Sequence, residues 1–428
     1  MIISKKIFVV LITLFALLIS SSHLCAKNKP KKLGWKILNE LVGAPIWSDF
    51  NLWDDQESNV AQRLKIPKES RTSYQVIYRA YLGGKSKVFG EPCYSFALFG
   101  DTANISSVSI VFANKGDLEG LAHDVSNDNK VQEEALSNYK SEIADAAINI
   151  EEKITSLLRE PKIQTFGEGD KNTVETVKRW NVKGHAILLA TPQDEYVAIR
   201  IVPTKIADDE GKIVPLTDEE VKERITSRIV HRDNGDVIIK DIPMINQGPK
   251  GYCVPATWAR YFNYIGIPAD MYLLAMAGNT SAGGGTSIMT MINNVNKLVY
   301  KHGRRMKRDK RRVLIKYIDE YIDRGVPIMW PVYVKKEFYV NEINKRTAER
   351  KNVKDFDKWK EKLKPFKRAA KKMKGSHDGA HVCMIIGYNK KTREIATSDS
   401  WGEMFNERWM TEEEIDAISM GGMYVIKW

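Results

Sequence analysis

Cysteine is scarce in this chain, four in 428 residues, and histidine occurs only seven times. So few thiols cannot build a disulfide-dense scaffold, so the fold must rest on a buried apolar core. There is no Gly-x-Ser-x-Gly, no zinc-type His-Glu-x-x-His and no Walker-type Gly-Lys-Thr, which removes the usual competing chemistries. No repeat of fixed period is visible. The apolar run from Ile7 to Ile19 is too short to span a bilayer comfortably.

What remains is ordinary for a globular protein: 43% hydrophobic and 28% charged residues, in a chain long enough for two cored domains. Residues 1–26 stand apart. Lys5 and Lys6 precede the apolar run, Ser20 to Ser22 follow it, and a cleavage position lies after Ala26, the layout of a signal peptide. The expected destination is secretion, the periplasm or the cell envelope, with an uncleaved anchor as the alternative. A lipid on Cys25 is disfavoured, because His23-Leu24-Cys25 lacks the small residue that normally precedes a lipidated cysteine. Removal of the segment leaves Cys93, Cys253 and Cys383, that is, one functional thiol plus either a disulfide or two buried thiols.

Residues 27–232 read as an N-terminal α+β domain. A helix is expected over 33–42, strands over 74–82, 94–99 and 108–112, and a long polar helix over 130–158. Strands over 174–182, 186–190 and 196–202 complete it. It offers no nucleophile–base pair, metal cluster or phosphate loop, and His123 and His185 are read as structural. Thr217-Asp218-Glu219-Glu220 has capping-box spacing, so a helix should follow from Asp218 to about Ile229. The Asn234-Gly235 turn then opens a second domain, 233–428, whose first strand is expected at 237–242.

In the stretch Gln247-Gly248-Pro249-Lys250-Gly251-Tyr252-Cys253-Val254-Pro255 a cysteine closes a glycine-rich turn and opens an apolar helix. Unpaired N–H groups and the positive dipole end at a helix start stabilise a thiolate. Pro255 suits the first turn, and Ala256, Trp258, Ala259 and Phe262 recur at helical spacing up to Gly266. Gln247, six residues upstream, can fold back so that its amide and the Cys253 N–H form a pair of oxyanion donors. Further on, His381 enters an apolar strand from Gly379 to Tyr388, and Asp399-Ser400-Trp401-Gly402 follows the next short strand. Nucleophile, base and orienter thus occur in the order Cys, His, Asp.

These residues resemble the papain-like cysteine peptidases, and among bacterial branches the double-glycine, bacteriocin-processing peptidases, over roughly 237–428. The resemblance implies a nucleophile helix packed on an antiparallel sheet. It also implies Cys253 as nucleophile, His381 as base and acid, Asp399 as orienter and Gln247 as oxyanion donor. Trp401 would shield the His–Asp pair, as in the Asn-Ser-Trp-Gly motif of papain-like enzymes. Aspartate stands here in place of the commoner asparagine, and an anionic partner favours the imidazolium. No metal or organic cofactor is implied, and the expected partner is a peptide or protein substrate.

The triple glycine 283–285 lies just beyond the nucleophile helix. Gly284 and Gly285 are therefore candidates for close approach to a substrate backbone, against the alternative of a plain flexible loop. Two basic stretches, 301–312 and a helical insertion at about 340–376, account for much of the formal charge of +12. For an exported protein they point to anionic cell-surface polymer rather than nucleic acid, or simply to solvated faces. His377 is a rival base, but it sits in a loop. The combined expectation is an α+β, two-domain, monomeric cysteine peptidase. Transglutaminase-like acyl transfer and an inactive papain-fold binding module are the alternatives. Gln247 and Trp401 favour peptidase over transferase, and the presence of all four residue types argues against decay.

Overall fold

The computed structural model describes residues 33–48, 51–118, 129–373 and 378–427. The signal segment expected at 1–26, His123 and His377 lie outside the described residues. Among the described residues no helix is long and apolar enough to cross a membrane.

Two antiparallel sheets organise the chain. The first contains β1 (Lys68–Arg71), β2 (Val76–Val88), β3 (Glu91–Gly100), β4 (Ile105–Asn114), β5 (Lys162–Gly167), β6 (Val174–Val182), β7 (His185–Ala190) and β8 (Tyr196–Pro203). Their order in the sheet is β1-β2-β3-β4-β8-β7-β6-β5. The period-two pattern explains how it is covered. Ile187 and Leu189 of β7, with Val197, Ile199 and Ile201 of β8, join a core that includes Ile143, Ile150 and Ile154 of the long helix Asn129–Leu158. Their alternates, Ala186, Leu188, Ala190, Tyr196 and Ala198, face the other way into the core of the C-terminal half. A strand buried on both faces reads as an unbroken apolar run, as Ala186 to Ala190 does after His185. The N-terminal sheet therefore shares a core with the rest of the chain on one of its faces.

The second sheet contains β9 (Ile229–His231), β10 (Asp236–Ile239), β11 (Arg305–Asp309), β12 (Ile328–Val334), β13 (Gly379–Asn389), β14 (Glu394–Ser398), β15 (Arg408–Thr411) and β16 (Met423–Lys427). Its order is β11-β16-β12-β13-β10-β9, with β14 also on β13 and β15 on β14. Sheet membership changes at Ile229, slightly ahead of the expected boundary at 233, because β9 and β10 form a hairpin around Asn234-Gly235. The helix before it runs Asp218–Thr226 with the capping box formed as its spacing predicts.

The basic stretches are not simply solvated faces. Residues 305–309 are an edge strand. Much of the counter-charge to 301–312 is supplied from elsewhere in the fold, and Asp309 supplies some from within it. Arg304 is buried and paired with Asp218, Arg311 pairs with Asp309 and Glu320, and Arg312 with Asp416. In the insertion, Arg346 and Arg350 of the helix Ile343–Arg350 are also buried. Arg346 forks onto Glu414 at 2.9 and 2.5 Å. Arg350 bridges Asp236 at 2.7 Å and Glu394 at 3.0 Å. Arg350 fastens the insertion to the sheet and Arg346 fastens it to the helix Glu412–Ile418, which burial permits only with such paired charges.

Candidate active site

The helix Cys253–Tyr264 carries the cysteine at its first position. Cys253, Thr257 and Arg260 lie four and three residues apart, so they form one stripe. That stripe faces the strands bearing the other two groups. The Thr257 hydroxyl donates to the Val382 carbonyl at 3.1 Å, next to His381 on β13. Arg260 is fully buried and donates to the Ser398 hydroxyl at 2.6 Å and to the Pro243 carbonyl at 2.9 Å. Burial pushes its guanidinium down to about 10.

His381 and Asp399 meet because β13 and β14 are antiparallel neighbours with Met384 opposite Ser398. Register alone thus carries Asp399 toward the start of β13. The His381 Nε2 lies 2.6 Å from Asp399 Oδ1. Its other ring nitrogen is left for sulfur, and His381 and Cys253 are close enough to shift each other's protonation. Trp401 stacks on the imidazole with ring centroids 4.3 Å apart and 30° between planes.

The electrostatics follow from burial set against partners. Burial alone would raise the Asp399 carboxyl, but the Arg408 charge and the His381 hydrogen bond outweigh it and bring it to about 2. Burial would lower His381, yet the bonds to Asp399 and Cys253 push it up to about 9. Loss of water raises the Cys253 thiol. The hydrogen bond and charge of His381, with the backbone at Val382 and Val254, more than offset that, and the thiol ends below its ordinary value. All three shifts favour the same state: carboxylate, imidazolium, thiolate.

Gln247 is placed inside its own loop. Its Nε2 donates to the Lys250 carbonyl at 2.6 Å, and its backbone N–H donates to the Ser400 carbonyl at 2.8 Å, next to Trp401. A carboxamide has two N–H donors, so this bond orients the group and leaves one over. Gly284 has a different role from the one expected. It is buried against Gly251 in a parallel bridge, and a side chain there would collide with the Gly251 backbone. Its close approach is to the loop before Cys253, whereas Gly285 is exposed and bordered by open space.

Three groups at the site escaped the sequence reading. Arg408 forms a fully buried ion pair with Asp399. The Tyr339 hydroxyl donates to both Asp399 oxygens at 3.1 and 3.2 Å. Arg260 underlies the motif, and its signal was available as one charged residue on an otherwise apolar helix. For Tyr339 there was none. Cys93, Cys253 and Cys383 are all free thiols, and Cys383 is a fully buried core residue. Among the described residues no group of three or more His, Cys, Asp or Glu is placed to hold a metal.

Residues 239–418 match the Peptidase_C39 like family. The match supports a C39-like peptidase domain in the C-terminal half, and the matched segment contains Gln247, Cys253, His381 and Asp399. None of the curated proteins compared with the chain matches it.

Proposed function

We propose that the protein is an exported cysteine peptidase that hydrolyses peptide bonds through a thioester on Cys253. The family points to cysteine-peptidase chemistry. The observation that carries the finer reading is the continuous line from the Cys253 sulfur through His381 to Asp399, with Trp401 stacked over the imidazole.

In this mechanism the thiolate attacks the scissile carbonyl carbon, and the carbonyl π electrons move onto oxygen. The free N–H of Gln247 and the Cys253 backbone N–H at the helix start stabilise that oxyanion. As the tetrahedral species collapses, the carbon–nitrogen bond breaks and the His381 imidazolium gives its proton to the departing amine. Water then enters. His381, now neutral, takes its proton while hydroxyl attacks the thioester, and the acid product leaves with regeneration of the thiolate and imidazolium. Asp399 stays ionised throughout and holds the ring. The expected substrate is a peptide or protein, the protein acts as a monomer, and residues 1–26 are removed on export.

The test begins with the exported protein, whose amino terminus should be Lys27. It should be labelled by a thiol-directed epoxide at Cys253, as read by peptide mapping, and should cleave members of a peptide library; Cys253→Ala should do neither. Stable adducts with added primary amines, in place of hydrolysis, would mean acyl transfer. Labelling without turnover on any peptide would mean a binding module.

A further inference from the structure

The loop that presents Gln247 and Cys253 is tied at several points to the other half of the chain, besides its bonds to Ser400 and Arg260. The Met244 N–H donates to the Ser70 hydroxyl at 2.9 Å. Both backbone groups of Asn246 are taken from the N-terminal sheet: its N–H donates to Glu69 at 3.0 Å, and its carbonyl accepts from the Tyr81 hydroxyl. The Tyr252 hydroxyl donates to Asn114, and a side chain at Gly116 would run into the Tyr252 ring. The Gly283 N–H donates to the Lys115 carbonyl at 3.1 Å, which presses the triple glycine onto Gly251.

Lys250 connects these contacts to the chemistry. Its carbonyl orients the Gln247 carboxamide, while its ammonium is buried away from water. There it pairs with Asp117 and sits over the rings of Tyr81, Tyr252 and Tyr272 at 5.3, 5.6 and 5.2 Å from their centroids. A buried ammonium requires such partners and resists moving away from them. Withdrawing Asp117 and Tyr81 therefore frees the residue on which the oxyanion donor is registered.

We propose that the N-terminal half is a resident part of the peptidase and not an excised inhibitor. Tyr81 and Asp117 are positioning residues that set the Gln247 carboxamide from the opposite half of the chain. This rests on the peptidase reading, and it separates the parts of the site. His381 is held within the second sheet, whereas the Gln247 loop is held from both halves: the Gln247 backbone N–H by the Ser400 carbonyl, and its Lys250 and Asn246 anchors by the N-terminal half.

The experiment uses the full mature chain with Tyr81→Phe, which removes one hydroxyl, and Asp117→Asn, which removes one charge at nearly constant shape. Each should keep the wild-type alkylation rate of Cys253 by iodoacetamide, and its pH profile, because alkylation forms no oxyanion. Each should lower kcat by about 10- to 100-fold with KM little changed, as expected for a catalytic group displaced by about an ångström. Affinity for a peptide aldehyde, which forms a tetrahedral adduct, should weaken in parallel. If Asp117→Asn fails to fold, Tyr81→Phe carries the test alone. The proposal is overturned if folded variants keep wild-type kcat and aldehyde affinity, if alkylation and kcat fall together, or if activity emerges only after the N-terminal half is cut away. Failure of the peptidase reading is distinct. The wild type would then cleave nothing, while the aldehyde affinities of wild type and variants would still read the loop's placement.

Discussion

Arg408 and Asp399 form an ion pair in which neither side chain has any access to water. Asp399 also receives the Tyr339 hydroxyl and the His381 ring, so its charge is distributed over three partners. The Arg408 guanidinium extends the network by donating to the Tyr339 carbonyl at 2.5 Å and lies over the Tyr339 ring at 4.3 Å. The imidazolium is thus stabilised by a carboxylate that cannot readily take a proton.

Removing one partner of a buried pair costs more than removing both, because the survivor's charge is left uncompensated. Arg408→Met should lower unfolding free energy by about 3 to 5 kcal/mol. The double variant Arg408→Met with Asp399→Asn should be less destabilised than Arg408→Met alone. Denaturant unfolding of the three proteins measures this. Equal losses in the single and double variants would show that the charge on Asp399 is not what Arg408 balances.

The pH profile follows from the signs of the shifts. His381 sits above the ordinary 6.5, at about 9, and the Cys253 thiol sits below its ordinary value. Between those limits the ion pair exists, so kcat/KM should form a bell whose alkaline limb falls near pH 9 and whose acid limb lies below the usual thiol range. Stability obeys the same logic. The His381 contribution is complete below about 6.5 and lost as pH rises through about 9, and the Asp399 contribution is complete above about 3.8 and lost as pH falls through about 2. An alkaline limb at the ordinary imidazole value would contradict the pairing.

Gln247→Ala should lower kcat by about 100- to 1000-fold, the usual effect of one lost oxyanion donor. Iodoacetamide should still alkylate Cys253 at the wild-type rate. A fall in both would place Gln247 in the ion pair's support rather than at the oxyanion.

Thiol reagents should find one reactive cysteine per mature chain. Burial pushes the Cys93 thiol up to about 12 and raises Cys383 well above its ordinary value, so neither supplies thiolate at neutral pH. Titration with a disulfide reagent should show one fast equivalent that Cys253→Ala abolishes, and two more only after denaturation.

Arg350→Met should destabilise the chain by about 3 to 5 kcal/mol, because Asp236 and Glu394 would be left buried side by side. Hydrogen exchange should speed up first in the helix Ile343–Arg350 and along β10. Exchange confined to the helix would mean the arginine does not anchor the insertion to the sheet.

Local chemistry was legible in the residues themselves. The helix from Cys253, ending by Gly266, follows from apolar spacing and a first-turn proline. The capping box at Thr217 forms as its spacing predicts. Gln247, Cys253, His381 and Asp399 were identifiable by residue type and order. Their meeting was decided by the tertiary structure, because the register of β13 against β14 and the stripe of Cys253, Thr257 and Arg260 are long-range pairings that no local pattern encodes. The same holds for charge. In sequence, 301–312 is a cationic run, but Arg304, Arg311 and Arg312 are neutralised by carboxylates that include distant ones, Asp218 and Asp416. The two halves were expected to be separate units because their composition gives no sign of shared contacts. Joining them are a lysine caged by three tyrosines and strands buried on both faces. Those arise only when the chain closes on itself, since burial of apolar area and of paired charge depends on which surfaces meet.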